Sequence, residues 1–124
     1  MRTLVVAQGL ERERILAAIS LHSPNKLVIL RSKRDVTPEL GKFVDKHIEI
    51  LKRELFPPEG RMRYFPFLLE IDDNTKVDFF DVISAIADIN EKIEEELNQG
   101  NEVSVDISSG NKIVNIALFI VAQM

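Results

Sequence analysis

The sequence predicts an α/β protein in which helices cover both faces of a mainly parallel sheet. Three observations lead there. Strand-like and helix-like segments alternate along the chain in the order βαβαβαβα. The strand-like segments are continuous apolar runs, as expected where both faces of a strand are buried. The helix-like segments carry apolar residues at three- and four-residue steps. Right-handed crossovers leave few topologies, and the expected strand order is third, second, first, fourth. Such a sheet reverses its order between the first and fourth strands, and ligands of this class bind beyond the carboxyl ends of the strands at that point.

The elements follow in order. "TLVVA" (Thr3 to Ala7) is a first strand ended by Gly9. A helix runs from about Leu10 to Leu21, with Ile15, Leu16, Ala18 and Ile19 inward, and stops at "HSPN", where Pro24 cannot continue it. "KLVIL" (Lys26 to Leu30) is the second strand, and the charged loop "RSKRD" follows it. Thr37 caps the second helix and Pro38 takes its first position, where a missing N–H costs nothing. Its stripe is Leu40, Phe43, Val44, Ile48, Leu51 and Leu55, and "FPPEG" ends it. "RYFPFLLEI" (Arg63 to Ile71) reads as a third strand, and Pro66 inside it predicts an edge position. A long third helix is expected from near Asp78, with Phe79, Val82, Ile83, Ile86, Ile93 and Leu97 on one face. Gly100 suits the left-handed conformation that closes it. "EVSVDI" is the fourth strand, and an almost wholly apolar fourth helix starts at about Asn111.

Composition narrows the function classes. The 124 residues suit one domain with one core, taken as residues 1–124. A net charge of −4 argues against nonspecific binding to duplex DNA, which needs a basic surface. There is no cysteine, so disulfides and thiolate metal sites are excluded. No signal peptide is visible, and the apolar run from Ile113 to Ala122 is shorter than the roughly 20 residues a membrane span takes. A cytoplasmic protein without membrane contact is the expectation.

The two loops flanking the point of reversal are "AQGLERE" and "DISSGNK". In the second, Ser108 and Ser109 offer hydroxyls and Gly110 lets the backbone turn tightly or approach a ligand. The helix that follows presents unpaired N–H groups and a positive dipole end, suited to phosphate, and Lys112 adds a full charge. Asp106 is placed to orient the loop or to bond a sugar hydroxyl or base edge. The plain alternative is a strand-to-helix turn with a serine cap. The first loop has neither a dinucleotide fingerprint nor a P-loop. Arg12 and Arg14 read as solvated charges in the first turns of their helix. Arg31, Lys33 and Arg34 lie at the same end of the sheet as the loops and are candidate phosphate contacts, or else solvent-facing charge. His22 and His47 have no partner at metal-ligand spacing, His47 reading as a packed side chain. Asp72 and Asp73 sit in "DDNT", which is turn composition. Neither a metal site nor a cofactor is expected.

"VSVDISSGNKIVNIALFIVA" resembles the second signature of the CRISPR-associated Rossmann-fold (CARF) domain, D-x-S/T-x-G-x-K/R followed by an apolar helix. "LVVAQGLERERILAAI" is similar to that family's first signature, at the end of the first strand. The nearest likeness is to archaeal regulators that join this domain to a winged helix-turn-helix, which share the "PPEGRMRYFPFLLEI" region and the long helix after it. The resemblance spans nearly the whole chain. It implies a Rossmann-like three-layer α/β/α sandwich. It also implies a homodimer that binds a cyclic oligoadenylate second messenger, foremost cyclic tetra-adenylate, across its two-fold axis in antiviral defence and transcription regulation. Gln8, Gly9, Asp106, Ser108, Ser109, Gly110, Asn111 and Lys112 would line the pocket. The family continues past its fourth helix with about two further strands, so the resemblance implies a sensor domain cut short there, without an effector module of its own.

Three functions follow from these readings. The first is a ligand-sensing dimer. The second is a metal-independent ring nuclease cleaving an RNA phosphodiester with Lys112 as the catalytic residue. Family members that cleave use a small hydroxyl residue in the first loop, and Ala7-Gln8-Gly9 supplies none. The third is an assembly module with purely structural loops. Independently of the resemblance, the fourth strand falls at a sheet edge and the fourth helix has only Asn115 as a polar residue between Ile113 and Ala122. That pattern predicts dimerisation over this edge or helix.

Overall fold

The computed structural model describes residues 1–9, 11–34, 37–58 and 61–124. Among these the elements are β1 (Arg2–Ala7), α1 (Arg12–His22), β2 (Lys26–Ser32), α2 (Pro38–Leu55), β3 (Glu70–Asp72), β4 (Lys76–Val77), α3 (Val82–Asn98), β5 (Glu102–Asp106) and α4 (Lys112–Ala122). The expected helix start at Leu10, the last residue of the "RSKRD" loop (Asp35) and the Glu59-Gly60 end of "FPPEG" lie outside the described residues.

The sheet runs β3-β2-β1-β5 with every pairing parallel. This is the expected order, with β5 in the place of the fourth strand, in a Rossmann-like α/β/α sandwich. Because side chains alternate along a strand, each apolar run feeds two cores. Leu4, Val6, Leu27 and Ile29 pack with Ile15, Ala18 and Ile19 of α1 and Val44, Ile48, Leu51 and Leu55 of α2. Val5, Ala7, Val28 and Leu30 pack with Ala85 and Ile89 of α3 and Val114, Ala117, Leu118 and Val121 of α4. That double burial is why these strands show no polar alternation.

Local signals set the helix starts. Thr37 Oγ1 accepts from Leu40 N–H at 3.1 Å with Pro38 at the first position of α2. Asn111 Oδ1 accepts from Val114 N–H at 2.9 Å and starts α4. The helix α1 ends at Ser23, which takes a left-handed conformation (φ 48°) before Pro24.

Four expectations are corrected. The third strand is only Glu70–Asp72. Ahead of it "RYFPFLL" turns, with Leu68 N–H donating to Phe65 C=O at 3.0 Å, so Pro66 precedes the edge strand instead of lying in it. A strand unforeseen in the sequence, β4, pairs with the end of β2 through Arg31↔Lys76 and Ser32↔Val77. The third helix starts at Val82 with Asp81 as its cap, its side chain accepting from Ile83 N–H at 3.1 Å. Of the expected face, Phe79, Val82, Ile86 and Ile93 do pack on the core, but Ile83 and Leu97 are exposed and the buried stripe is Ala85, Ile89, Lys92 and Glu96.

That stripe is rotated because it buries ion pairs. Glu96, 0% exposed, accepts from Thr3 Oγ1 (2.9 Å), Lys26 Nζ (2.9 Å) and Asn101 Nδ2 (3.1 Å). Lys92 Nζ lies 3.4 Å from Glu96 and donates to Asp72 at 2.9 Å. Burial pushes the Glu96 and Asp72 carboxyls up, but hydrogen bonds from Lys26 and Thr3 to Glu96, and from Lys92 to Asp72, outweigh it and hold both below the usual carboxylate range. Burial likewise pulls Lys26 and Lys92 down, and the same ion pairs hold both above the usual lysine value. The network fastens α3 to Thr3 near the start of β1, to Lys26 at the start of β2 and to Asp72 at the end of the short β3, away from the two loops.

No helix, among the described residues, is long and apolar enough to cross a membrane.

Candidate ligand site between the first and last strand ends

The site is built where β1 and β5 end side by side, with Val6 paired to Asp106. The two loops touch. A Cβ on Gly9 would stand 2.7 Å from Ser109 Oγ and 2.9 Å from Gly110 N. Gly110 has φ +87°, and a Cβ there would lie 2.6 Å from Ala7 Cβ. Two glycines are therefore needed for this approach, one for space and one for space and conformation.

Asp106 shapes the second loop from below. Its Oδ1 accepts from Ser108 N–H at 2.9 Å and from the Ser108 hydroxyl. Its Oδ2 lies 4.0 Å from His22 Nε2. Asn111 is engaged at both ends of its carboxamide, capping α4 and donating Nδ2 to Phe79 C=O at 2.9 Å. Asp106 and Asn111 are thus occupied within the protein, and their work is to hold the loop.

Ser109 differs. It is 3% exposed, and its Oγ is buried without a hydrogen-bond partner among the described residues. Leaving a buried hydroxyl unmet costs about 1–3 kcal/mol. Ser109 lines a pocket of about 360 Å³ whose polar side is Gln8, Gly9, Glu11, Arg14 and the Ser108–Asn111 turn. The opposite wall is apolar: Leu40 and Val44 from α2, and Phe79 ahead of α3. Leu40 was expected on the inner stripe of α2, yet it is exposed, since it looks into this pocket. A chamber with one apolar wall and one wall of hydroxyl, amide and helix N-terminus suits a planar ring carrying a polar or anionic group.

Of the eight expected site residues, Gln8, Gly9, Ser108, Ser109, Gly110 and Asn111 line this pocket. Asp106 lies beneath it. Lys112 lines a neighbouring pocket of about 430 Å³ that shares Arg14, Ser108 and Gly110 with the first. Arg31, Lys33 and Arg34 are not brought to either pocket. Arg31 pairs with Asp45 and, at 3.6 Å, with Asp73. Lys33 pairs with Asp88 at 2.8 Å, and Arg34 with Asp78 at 3.5 Å. The physical reason is that each cation meets an acid of a neighbouring segment: Asp45 lies on α2, Asp73 and Asp78 flank β4 beside the end of β2, and Asp88 lies on α3.

Arg14 is the residue the sequence reading missed. Read as a solvated charge, it instead pairs through Nε with Glu11 at 2.5 Å and donates Nη1 to Ser108 C=O at 2.7 Å. It clamps the first helix to the second loop and forms the wall between the pockets. Its placement early in the helix after the first loop was the available signal, but its acceptor lies 94 residues away in sequence. Arg12 pairs with Glu54 at 3.1 Å on α2, away from the site. His47 stacks edge-on against Phe43, ring centroids 4.5 Å apart, as a packed side chain. The Asp72 and Asp73 carboxylates serve ion pairs with Lys92 and Lys52. Among the described residues no group of three or more metal-ligating side chains comes together.

No curated protein matches the chain. A family model does, that of the family described as HFX_2341_N:-like, N-terminal, over residues 2–124. The chain, matched over almost its whole length, belongs to that family.

Proposed function

We propose that this protein is a ligand-sensing domain that binds an adenylate second messenger, a cyclic oligoadenylate shared between two protomers. The observation that carries the reading is Ser109: a buried hydroxyl with no partner among the described residues, in the turn before α4, on a residue that lines a pocket with an apolar wall. A phosphate oxygen there accepts from the hydroxyl and from free N–H groups of the first turn of α4, with the helix dipole in its favour. A base lies against Leu40, Val44 and Phe79. The D-I-S-S-G-N-K stretch resembles the CARF second signature, and it is that resemblance that favours adenylate rings among such ligands.

Size supports sharing. About 360 Å³ is at the small end of the roughly 300–1,000 Å³ range for small-molecule pockets, and a ring of several nucleotides exceeds it. An isologous dimer presents each pocket twice to a symmetric ring. The exposed face of α4, with Ile116, Phe119 and Ile120 beside Ile107, supplies an apolar surface next to the site for that contact. In this reading the chain regulates by binding and contacts no DNA itself.

Calorimetry with cyclic tetra-adenylate, linear tetra-adenylate and NAD tests the proposal. Tight binding of the cyclic ligand, at one ring per two chains, is expected. Equal or absent binding of all three overturns it, as does a monomer by light scattering when saturated with the ring. Lys112→Ala should weaken ring binding about tenfold or more, the order expected for one charge-assisted contact. A cyclic-phosphate product in the same mixture would mark the chain as a ring nuclease instead.

A further inference from the structure

The apolar helix α4 carries one polar interruption, Asn115, and nothing inside the protein uses it: its Oδ1 is buried and, among the described residues, has no hydrogen-bond partner. Native proteins rarely leave such an acceptor unmet, and each one calls for an explanation, a functional role or a bound group among them. Asn115 lines the second pocket, together with Lys112, Ile107 and Ile116. Lys112 is exposed and, unlike Arg14, forms no salt bridge among the described residues. The second pocket adjoins the first over the start of α4, with Arg14, Ser108 and Gly110 lining both.

We infer that this second pocket is a subsite for the next phosphodiester-linked nucleotide unit, with Asn115 as the residue that reads it. This rests on the nucleotide-binding reading of the first pocket. The chemistry is matched group by group. Lys112 takes the charge of the linking phosphate. Asn115 Oδ1 needs a donor, and a ribose hydroxyl or an exocyclic amino group provides one. Ile107 and Ile116 give the sugar or base an apolar side to lie against. A bare anion such as inorganic phosphate satisfies Lys112 but leaves Asn115 unmet, so the pocket favours a phosphodiester with a donor beside it.

The test compares 5′-AMP with the linear dinucleotide pApA by calorimetry, on the natural chain and on Asn115→Ala, with urea unfolding of both. The dinucleotide should bind the natural chain at least tenfold more tightly than AMP. Asn115→Ala should remove most of that advantage, leave AMP affinity as it was, and unfold at the same or higher urea concentration, because an unmet acceptor has been deleted. If pApA binds no more tightly than AMP, or keeps its advantage in Asn115→Ala, the subsite is overturned while the first pocket stands. If Asn115→Ala lowers the urea midpoint and both affinities together, Asn115 is a packing residue and the inference is overturned. If neither nucleotide binds the natural chain, the nucleotide reading fails and takes the subsite with it.

Discussion

At one end of the sheet Glu96 is fully buried and accepts from Thr3, Lys26 and Asn101, while at the other end Ser109 is nearly as buried and its hydroxyl has no partner among the described residues. The same α/β frame holds both. Beneath α3 every buried charge has a partner, so the desolvation cost of Glu96, Lys26 and Lys92 is offset within the molecule. Over the start of α4 two buried polar atoms, Ser109 Oγ and Asn115 Oδ1, are left open. The first end holds the fold in one arrangement. The second carries uncompensated cost, which a ligand can recover. Polar burial therefore teaches function here only once its partners are counted.

The contrast can be broken most sharply at Glu96. Glu96→Gln leaves Lys26 and Lys92 without their shared counter-charge and should cost about 3–5 kcal/mol in urea unfolding, while ligand affinity of the folded fraction stays unchanged. A loss of affinity equal to the loss of stability would mean that the two ends are coupled.

Acid should act on the same end. Glu96 and Asp72 titrate below their unfolded values, so the stability they confer is complete above the unfolded carboxylate range, about pH 4, and drains as pH falls through their folded values. Lys26 and Lys92 have the opposite sign: their contribution is complete below about pH 10 and is lost only as pH rises through their raised values. Urea midpoints should thus be flat from pH 6 to 9 with respect to these groups and fall below about pH 4, less steeply in Glu96→Gln.

A smaller effect is expected where the loops meet. Gly110→Ala places a Cβ against Ala7 at a positive φ and should cost about 1–3 kcal/mol, with ligand affinity falling too because the loop must shift. An alanine that matches the natural chain in both measurements would show that the close approach of the loops is not required.

The smallest stability effect belongs to Ser109→Ala. It should leave the urea midpoint unchanged or slightly raised, since a buried unmet hydroxyl is removed, and should weaken the adenylate ligand about tenfold. A destabilised Ser109→Ala with intact binding would reverse the assignment of that end.

Much of this was legible in the residues. Thr37-Pro38 fixed a helix start, and the D-I-S-S-G-N-K spacing marked the turn before α4, because caps and turns depend on neighbours a few positions apart. The errors fell where distant partners intervened. "RYFPFLL" has strand-forming aromatics, but Phe65 and Phe67 turn inward to pack on the α1 and α2 side of the sheet, and only Glu70–Asp72 pairs with β2. Hydrophobic periodicity placed the inner face of α3 on Ile83 and Leu97, since no apolar pattern registers a buried Lys92 or Glu96 whose partners sit at positions 3, 26 and 72. Arg31, Lys33 and Arg34 read as candidate phosphate contacts or solvent-facing charge, but acidic residues of α2, of α3 and on either side of β4 meet them.

By itself the sequence determined the alternation of elements, the double-sided burial of β1 and β2, the strand order and the position of the polar turn, because these rest on periodicity, short-range caps and the handedness of crossovers. Only the tertiary structure decided which polar groups are spent and which are open. Asp106 and Asn111 are consumed in holding the loop, Arg14 bridges 94 residues to Ser108, and the pocket-lining Ser109 and Asn115 keep buried atoms unmet among the described residues. The reason is that hydrogen-bond satisfaction depends on contacts between segments far apart in the chain, which a linear pattern does not record.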